Sequence, residues 1–207
     1  MAQWVIGLTG PTGAGKSIVG EVFAEHGFPV VDTDRVARQV TQTDPDCLKE
    51  LQDAFGEDVV QNGALNRQEL ARRAFSTPGG GERLNRITHP RILKRADEII
   101  AAAFSHGAPL ALLDAPLLYE SGADQTCQRV IAVVAPAQTR IGRIMRRDGI
   151  SLEAAQLRLS AQKDDGFYTE RADYVLVNDG APEQLRQKAA RVLARIRQEQ
   201  ELSLIHI

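Results

Sequence analysis

Hydrophobic and polar positions divide the chain into two kinds of territory. Short apolar runs read as strands at residues 4–9, 28–31, 110–114, 130–134 and 174–177. Leu110-Ala111-Leu112-Leu113 carries no polar position, as expected of a strand buried on both faces. Between the runs the apolar residues recur at helical spacing. A helix is expected at 16–26, stopped by Gly27, and others at 138–147 and 152–162. The last helix is expected from Pro182 to Glu199, with Leu185, Ala189, Val192, Leu193 and Ile196 as its buried stripe. The order strand, loop, helix, strand predicts an α/β fold with a five-stranded parallel sheet flanked by helices. From Arg35 to about His106 strand-like runs are scarce and helical patterns dominate. Asp44-Pro45 reads as a helix start, 61–66 as a turn or loop before a short helix, and Thr77-Pro78-Gly79-Gly80-Gly81 as a break. After Pro90, Ile92, Ala96, Ile99, Ile100 and Ala103 mark a further helix. This stretch is expected to be a helical insertion in the sheet domain. The apolar tail 202–207 breaks the pattern of the last helix.

The stretch Gly10-Pro11-Thr12-Gly13-Ala14-Gly15-Lys16-Ser17 is a complete phosphate-binding loop, set between the first strand and the first helix. Its glycines let backbone N–H groups turn toward a phosphate, and the helix start adds free N–H groups and its positive dipole end. Lys16 suits the β- and γ-phosphates and the Ser17 hydroxyl suits Mg²⁺. The chain is therefore expected to bind a nucleoside triphosphate, with ATP and Mg²⁺ as the implied pair. Composition adds limits. The chain has 207 residues, 43% hydrophobic and 25% charged, with a formal net charge of −2. No nucleic-acid or anionic-membrane partner is expected from that balance. Cys47 and Cys127 stand without metal or redox spacing, and neither a signal peptide nor a membrane span is apparent, so a cytoplasmic protein is expected.

Further residues invite chemistry. Asp32 and Asp34 follow the second strand, at the sheet end where ligands of open α/β folds sit. One carboxylate would take or orient a hydroxyl proton and the other would hold Mg²⁺, while Asp34 alone would also serve as a helix cap. Asp114 ends the third apolar run, as a Mg²⁺ ligand or as a turn residue before Pro116. Arg140, Arg143, Arg146 and Arg147 are expected on one broad helix face, opposite Ile141, Ile144 and Met145. Such a face reads as a lid over phosphates or as a solvated surface. His89 on its own reads as structural.

Taken in order, these segments resemble the dephospho-CoA kinase family, from Ile6 to about Asn178. The likeness rests on the loop from Leu8 to Ser17, and on Val31-Asp32-Thr33-Asp34 followed by Ala37-Arg38-Gln39. It continues through Leu65-Asn66-Arg67 with Leu70, Leu84-Asn85-Arg86-Ile87-Thr88-His89-Pro90, and Asp114-Ala115-Pro116-Leu117-Leu118-Tyr119-Glu120. Arg143-Ile144-Met145-Arg146-Arg147-Asp148 and Ala172-Asp173-Tyr174 leading to Asn178 complete it. The chain departs from the family pattern at Arg140, where glutamine is frequent, and at Tyr168, where lysine is frequent. The resemblance implies a P-loop kinase with a nucleotide-binding core (1–34, 108–137, 172–207), a helical CoA-binding region (35–107) and an arginine-bearing lid (138–171). It implies transfer of the ATP γ-phosphate to the ribose 3′-hydroxyl of dephospho-CoA. Asp34 would be the base, Asp32 its companion, and Arg143 and Arg147 lid arginines, while His89, Leu117, Tyr119 and Glu120 would line the acceptor side. A monomer or weak homo-oligomer is expected. Other readings are another P-loop small-molecule kinase, such as a nucleoside monophosphate kinase, or a nucleotide-dependent switch.

Overall fold

The apolar runs become the strands of one sheet, and the polar residues that end them start the helices. In the computed structural model, which describes residues 2–203, the strands are β1 (Trp4–Thr9), β2 (Val30–Asp32), β5 (Leu110–Asp114), β6 (Arg129–Val134) and β7 (Tyr174–Val177). A short antiparallel pair, β3 (Val60–Gln61) and β4 (Ala64–Leu65), stands apart from them. The five-stranded parallel sheet has the order β2-β5-β1-β6-β7. β1 lies in the middle, with Leu8 in register with Asp114 on one side and Ile131 on the other. The loop after β1 therefore leaves from the centre of the sheet's carboxyl edge, flanked by the ends of β5 and β6.

One face of the sheet is covered by α1 (Lys16–Glu25) and α9 (Pro182–Ser203), which pack on each other. Val19, Val22 and Phe23 of α1 meet Leu185, Ala189, Leu193 and Ile196 of α9 over Ile6, Leu8, Leu112, Ile131 and Val133. The stripe expected on the last helix is the one buried, and the helix runs on to Ser203. The rest of the apolar tail, residues 204–207, lies outside the described residues. After β6 come α6 (Ala137–Asp148), α7 (Leu152–Ser160) and a short α8 (Asp165–Thr169), the last capped by Asp164, whose Oδ1 accepts from Phe167 N at 2.9 Å.

Chain contacts divide the protein into two compact units, 1–31 with 100–207, and 32–99. The second unit holds α2 (Thr33–Thr43), α3 (Pro45–Phe55), α4 (Arg67–Ser76) and the first part of α5 (Gly80–Ser105). Val36, Val40, Cys47, Leu51, Phe55, Val59, Leu70, Ala74 and Ala96 are its buried apolar residues. Asp44 caps α3 with Pro45 in its first turn, and Asn66 caps α4.

Three local expectations give way. The stretch 61–66 contains a hairpin rather than a plain loop: Asn62 and Gly63 both take positive φ, 52° and 76°, as a two-residue primed turn requires. Pro90 does not begin a helix but lies inside the 26-residue α5. Proline cannot donate to the carbonyl four residues back, and side chains serve the backbone around it. Thr88 Oγ1 donates to Leu84 O at 2.9 Å and Arg91 Nη1 to Ile87 O at 2.9 Å. Finally, the cap of α2 is Asp32, not Asp34. Asp32 Oδ1 accepts from Asp34 N at 2.8 Å and Arg35 N at 3.2 Å, which puts Asp34 in the first helical turn.

Phe23 is fully buried between α1, α9 and the sheet and lies edge-on to Phe28, with ring centroids 6.4 Å apart. Phe23→Ala is expected to lower unfolding stability by about 3–5 kcal/mol in urea titration. A loss under about 1 kcal/mol would mean that the ring is not a core element.

Candidate active site

The loop from Gly10 to Ser17 takes its shape from three glycines at positive φ: 138° at Gly10, 79° at Gly13 and 106° at Gly15. Each also lies against a neighbour. A Cβ at Gly10 would fall 2.1 Å from the carbonyl oxygen of Val133. One at Gly13 would meet the Arg140 carbonyl oxygen at 3.0 Å, and one at Gly15 would meet Asn178 Nδ2 at 2.4 Å. The loop is thus clasped between β6, α6 and the end of β7, where no side chain fits.

Its carbonyl groups at Gly10, Gly13 and Ala14 are bound by side chains. Lys16 Nζ donates to Gly10 O at 2.9 Å and Asn178 Nδ2 to Ala14 O at 2.7 Å. Arg143 Nη1 donates to Gly13 O at 3.2 Å and Ala14 O at 3.3 Å. Thr12 is held at both ends by Gln162, whose Oε1 accepts from Thr12 N at 3.2 Å while its Nε2 donates to Thr12 Oγ1 at 3.0 Å. Side chains cap α2, α3, α4, α7 and α8 (Asp32, Asp44, Asn66, Ser151 and Asp164), but α1, after Gly15, and α6, after Pro136, have no side-chain cap. The N–H groups at the start of α1 suit an anion. Ser17 is exposed in the first turn of α1, and Pro11 and Ala14 are buried beneath the loop.

The end of β5 adds a carboxylate and a turn. Asp114 is half-buried, in register with Leu8, and the next residue, Ala115, donates its N–H to Leu8 O at 3.0 Å. In the turn that follows, Leu117 and Glu120 are exposed while Tyr119 is buried. Desolvation pushes the Tyr119 phenol up to about 12, and its hydroxyl donates to Tyr168 O at 3.2 Å. The Arg171 guanidinium lies over the Tyr119 and Phe167 rings, at 4.1 and 4.2 Å from their centroids. Tyr119 thus anchors the turn on α8 and leaves Leu117 and Glu120 outward.

The arginine helix α6 divides differently from the expected single face. Arg140 is buried with Ile141 and Ile144 and belongs to the packed side. The reason is geometric: residues four apart are only about 40° apart around a helix, so Arg140 follows Ile144 inward. Arg143 lies on the phosphate loop, where burial and the charge of Arg146 lower its pKa. Arg147 is paired with Asp148 at 2.7 and 3.0 Å, and Asp148 also receives Arg158. The hydrogen bond from Arg147 leads the effects that hold the Asp148 carboxyl down at about 2.

In the second unit, Asp32 and Asp34 stand exposed at the start of α2, and His89 is half-buried in α5. A cleft of about 480 Å³ in this unit is lined by Val40, Thr43, Asp44, Pro90, Arg91 and Lys94 among others. Arg91 in its wall is paired with Asp44 at 3.2 Å and Glu50 at 2.9 Å, so the cleft favours neither sign strongly.

Gln162 and Asn178 are the loop-holding residues that motif reading missed. Asn178 had a signal, since it follows a strand on the sheet edge that carries the loop. Gln162 had none, because it meets Thr12 from 150 positions away.

Residues 4–184 match the family model described as dephospho-CoA kinase. The chain belongs to the dephospho-CoA kinase family. A dephospho-CoA kinase of Anaeromyxobacter dehalogenans is 42% identical over 194 residues, covering 93% of this chain and 92% of that relative. A crystal structure of a Thermus thermophilus protein superposes with a TM-score of 0.78 at 34% identity, covering 94% of this chain and 98% of that one. A dephospho-CoA kinase structure from Campylobacter jejuni gives a TM-score of 0.70 at 26% identity, covering 93% and 96%. The family resemblance read from the motifs and the five-stranded P-loop kinase fold are both borne out.

For this dephospho-CoA kinase relative, the loop glycines allow a paired test. Gly13→Ala puts a Cβ against the Arg140 backbone at positive φ, whereas Gly27→Ala, at φ 82°, meets nothing within 4 Å. Calorimetric titration is expected to show nucleotide affinity falling about tenfold or more in Gly13→Ala, the value of one charge-assisted hydrogen bond. Gly27→Ala is expected to leave affinity unchanged and cost about 1 kcal/mol of stability for its left-handed backbone. Equal affinities for the two variants would contradict the clasped-loop geometry.

Proposed function

We propose that the chain transfers the γ-phosphoryl group of ATP to the ribose 3′-hydroxyl of dephospho-CoA, giving coenzyme A and ADP. The observation that carries the nucleotide half is the phosphate loop, closed by three left-handed glycines and followed by a helix start without a side-chain cap. The family carries the acceptor half.

In this reading Gly10 to Ser17 wrap the polyphosphate, and Lys16 leaves Gly10 O to meet the β- and γ-phosphates as charge moves between them. Asp34 accepts the hydrogen bond of the 3′-hydroxyl and takes its proton as the oxygen bonds to phosphorus and the bond to the β-phosphate breaks. Asp34 stands exposed in the first turn of α2, the helix that Asp32 caps. Arg143 and Arg147 neutralise the transferring group, Arg147 after leaving Asp148. His89, Leu117 and Glu120 line the acceptor side, with Tyr119 bracing that turn.

Mg²⁺ belongs to this reading as well. Among the described residues no group of three or more acidic, histidine or cysteine side chains forms a ready cage. That fits Mg²⁺, which keeps waters and is held by one or two protein groups together with substrate phosphates. The Ser17 hydroxyl, Asp114 and Asp32 offer hard oxygen ligands of the right kind. The ion would neutralise charge on the β- and γ-phosphate oxygens. Among the described residues no helix is long and apolar enough to cross a membrane. A cytoplasmic monomer or weak homo-oligomer, acting on a small molecule rather than nucleic acid, completes the proposal.

A coupled assay of ADP release with ATP, Mg²⁺ and dephospho-CoA tests the whole. Turnover is expected only with the acceptor present, and acceptor-independent hydrolysis alone would refute it. Asp34→Asn is expected to keep ATP binding and to lose about 10²-fold or more in transfer. Asp32→Asn, which can still cap α2, is expected to be partly rescued by raised Mg²⁺, and Asp34→Asn is not. Lys16→Ala should lose about 10²-fold in turnover, and near-normal rates would remove Lys16 from the reaction.

A further inference from the structure

Thr12 of the phosphate loop is held at two atoms by one side chain. Its N–H donates to Gln162 Oε1 at 3.2 Å, and its Oγ1 receives Gln162 Nε2 at 3.0 Å. A backbone N–H can only donate, so the amide oxygen must face it and the amide nitrogen must face the hydroxyl. Gln162 itself has firm support. It follows α7, and its N–H donates to Leu159 O at 3.0 Å. Leu159 packs on the small core that joins Ile141 and Ile144 of α6 to Ala155 of α7. Gly13, the next loop residue, rests on α6 directly, since a Cβ there would meet the Arg140 carbonyl oxygen at 3.0 Å. Thr12, Gly13 and Gln162 all belong to one compact unit.

Thr12 and Gly13 are also the central residues of a tight turn, closed by Ala14 N donating to Pro11 O at 3.2 Å, with Gly13 at φ 79°. The peptide unit between them carries the Gly13 N–H, one of the backbone donors that such a loop offers to a phosphate. With glycine at the second central position that unit can turn over at little steric cost. Fixing Thr12 at its nitrogen and hydroxyl restrains the unit from one side, and the seat of Gly13 on α6 restrains it from the other. The second half of the loop has its own brace, Asn178 at Ala14 O. The first half is braced as well by Lys16, whose Nζ donates to Gly10 O at 2.9 Å. In the proposed reaction Lys16 gives up that bond to meet the β- and γ-phosphates. Gln162 then stays on the first half of the loop while nucleotide is bound.

We propose that Gln162 is a positioning residue for the nucleotide: it holds Thr12 so that the Gly13 N–H stays aimed at phosphate after Lys16 has left Gly10. It acts through Thr12 and touches no substrate atom. A loop already held in its bound shape loses less freedom on binding, and that difference appears as affinity. The proposal rests on the kinase reading for the nucleotide but not on the identity of the acceptor.

A tether that merely joined α7 to the loop would stabilise the empty and the filled protein alike, so binding separates the two roles. Affinities of the full-length wild type and its variants for a non-hydrolysable ATP analogue and for ADP are measured with Mg²⁺ by calorimetry, and melting is followed without nucleotide. Gln162→Ala is expected to bind both ligands about tenfold more weakly, because the loop N–H groups serve phosphates common to the two. A lower melting temperature with wild-type affinity for both would overturn the proposal in favour of the tether. Thr12→Val keeps the N–H and the branched shape, loses the hydroxyl, and covers the case in which Gln162→Ala does not fold. Its affinity is expected to fall about three- to tenfold, and wild-type affinity would count against the proposal. The protein carrying both substitutions is expected to bind no more weakly than Gln162→Ala, since the hydroxyl has no amide left to hold it. Losses that multiply would show two independent residues and overturn the assignment. No acceptor enters these measurements, so a wild type that binds nucleotide but fails to phosphorylate dephospho-CoA would refute the acceptor assignment and leave the Gln162 result standing. A wild type that binds neither nucleotide would refute the kinase reading and the Gln162 assignment together.

Discussion

The absence of side chains at Gly10, Gly13 and Gly15 is the constraint on which the nucleotide-binding unit depends. A loop that must bind phosphate with its backbone has to lie flat against its supports, and each glycine does so at a different support. Val133 on β6 closes one side, Arg140 on α6 another, and Asn178 after β7 the third. The sheet order follows the same logic, since β1 must sit between β5 and β6 to deliver the loop to the middle of the carboxyl edge. α1 and α9 then seal the apolar face below, so the loop stands on a core that does not yield.

The helix α6 shows how one element serves packing and chemistry together. Ile141 and Ile144 join Ala155 in a small core with α7, while Arg143 reaches the loop carbonyls and Arg147 turns to Asp148. Charge is thereby stored close to the phosphate site in three different states of occupation. Arg143 braces the loop, Arg147 is lent to a neighbouring carboxylate, and Arg140 is buried with donors to spare. A helix with one solvated basic face would have offered only general attraction.

Much of the fold was legible because the sheet is parallel and buried. Leu110 to Leu113 and Val130 to Val134 admit no polar residue, so their pattern survives without knowledge of neighbours. The phosphate loop was legible because its constraints are local, one glycine per awkward backbone angle. What escaped depends on distance or on small scale. β3 and β4 have two residues each, too few for an alternation to register, though Asn62-Gly63 marked the turn. Pro90 reads locally as a helix boundary, and only packing along α5 overrides it. Asp32 and Asp34 are both good caps by type, and the choice between them depends on where β2 ends. Arg140 looked outward because charge was weighed more heavily than its alignment with Ile144. Gln162 could not be found from sequence at all, since its value lies in reaching Thr12 across a long stretch of chain.

The uncapped start of α1 has a consequence for how this protein tolerates change. A helix start whose N–H groups suit an anion gains stability from whatever fills the loop. A ligand present at about a hundred times its dissociation constant adds about 2.7 kcal/mol to the folded state. That is comparable to the damage done by a typical harmful substitution. Inside a cell rich in nucleotide, variants of this chain can thus persist that would unravel after dialysis, and the range of sequences open to its evolution is widened by its own substrate.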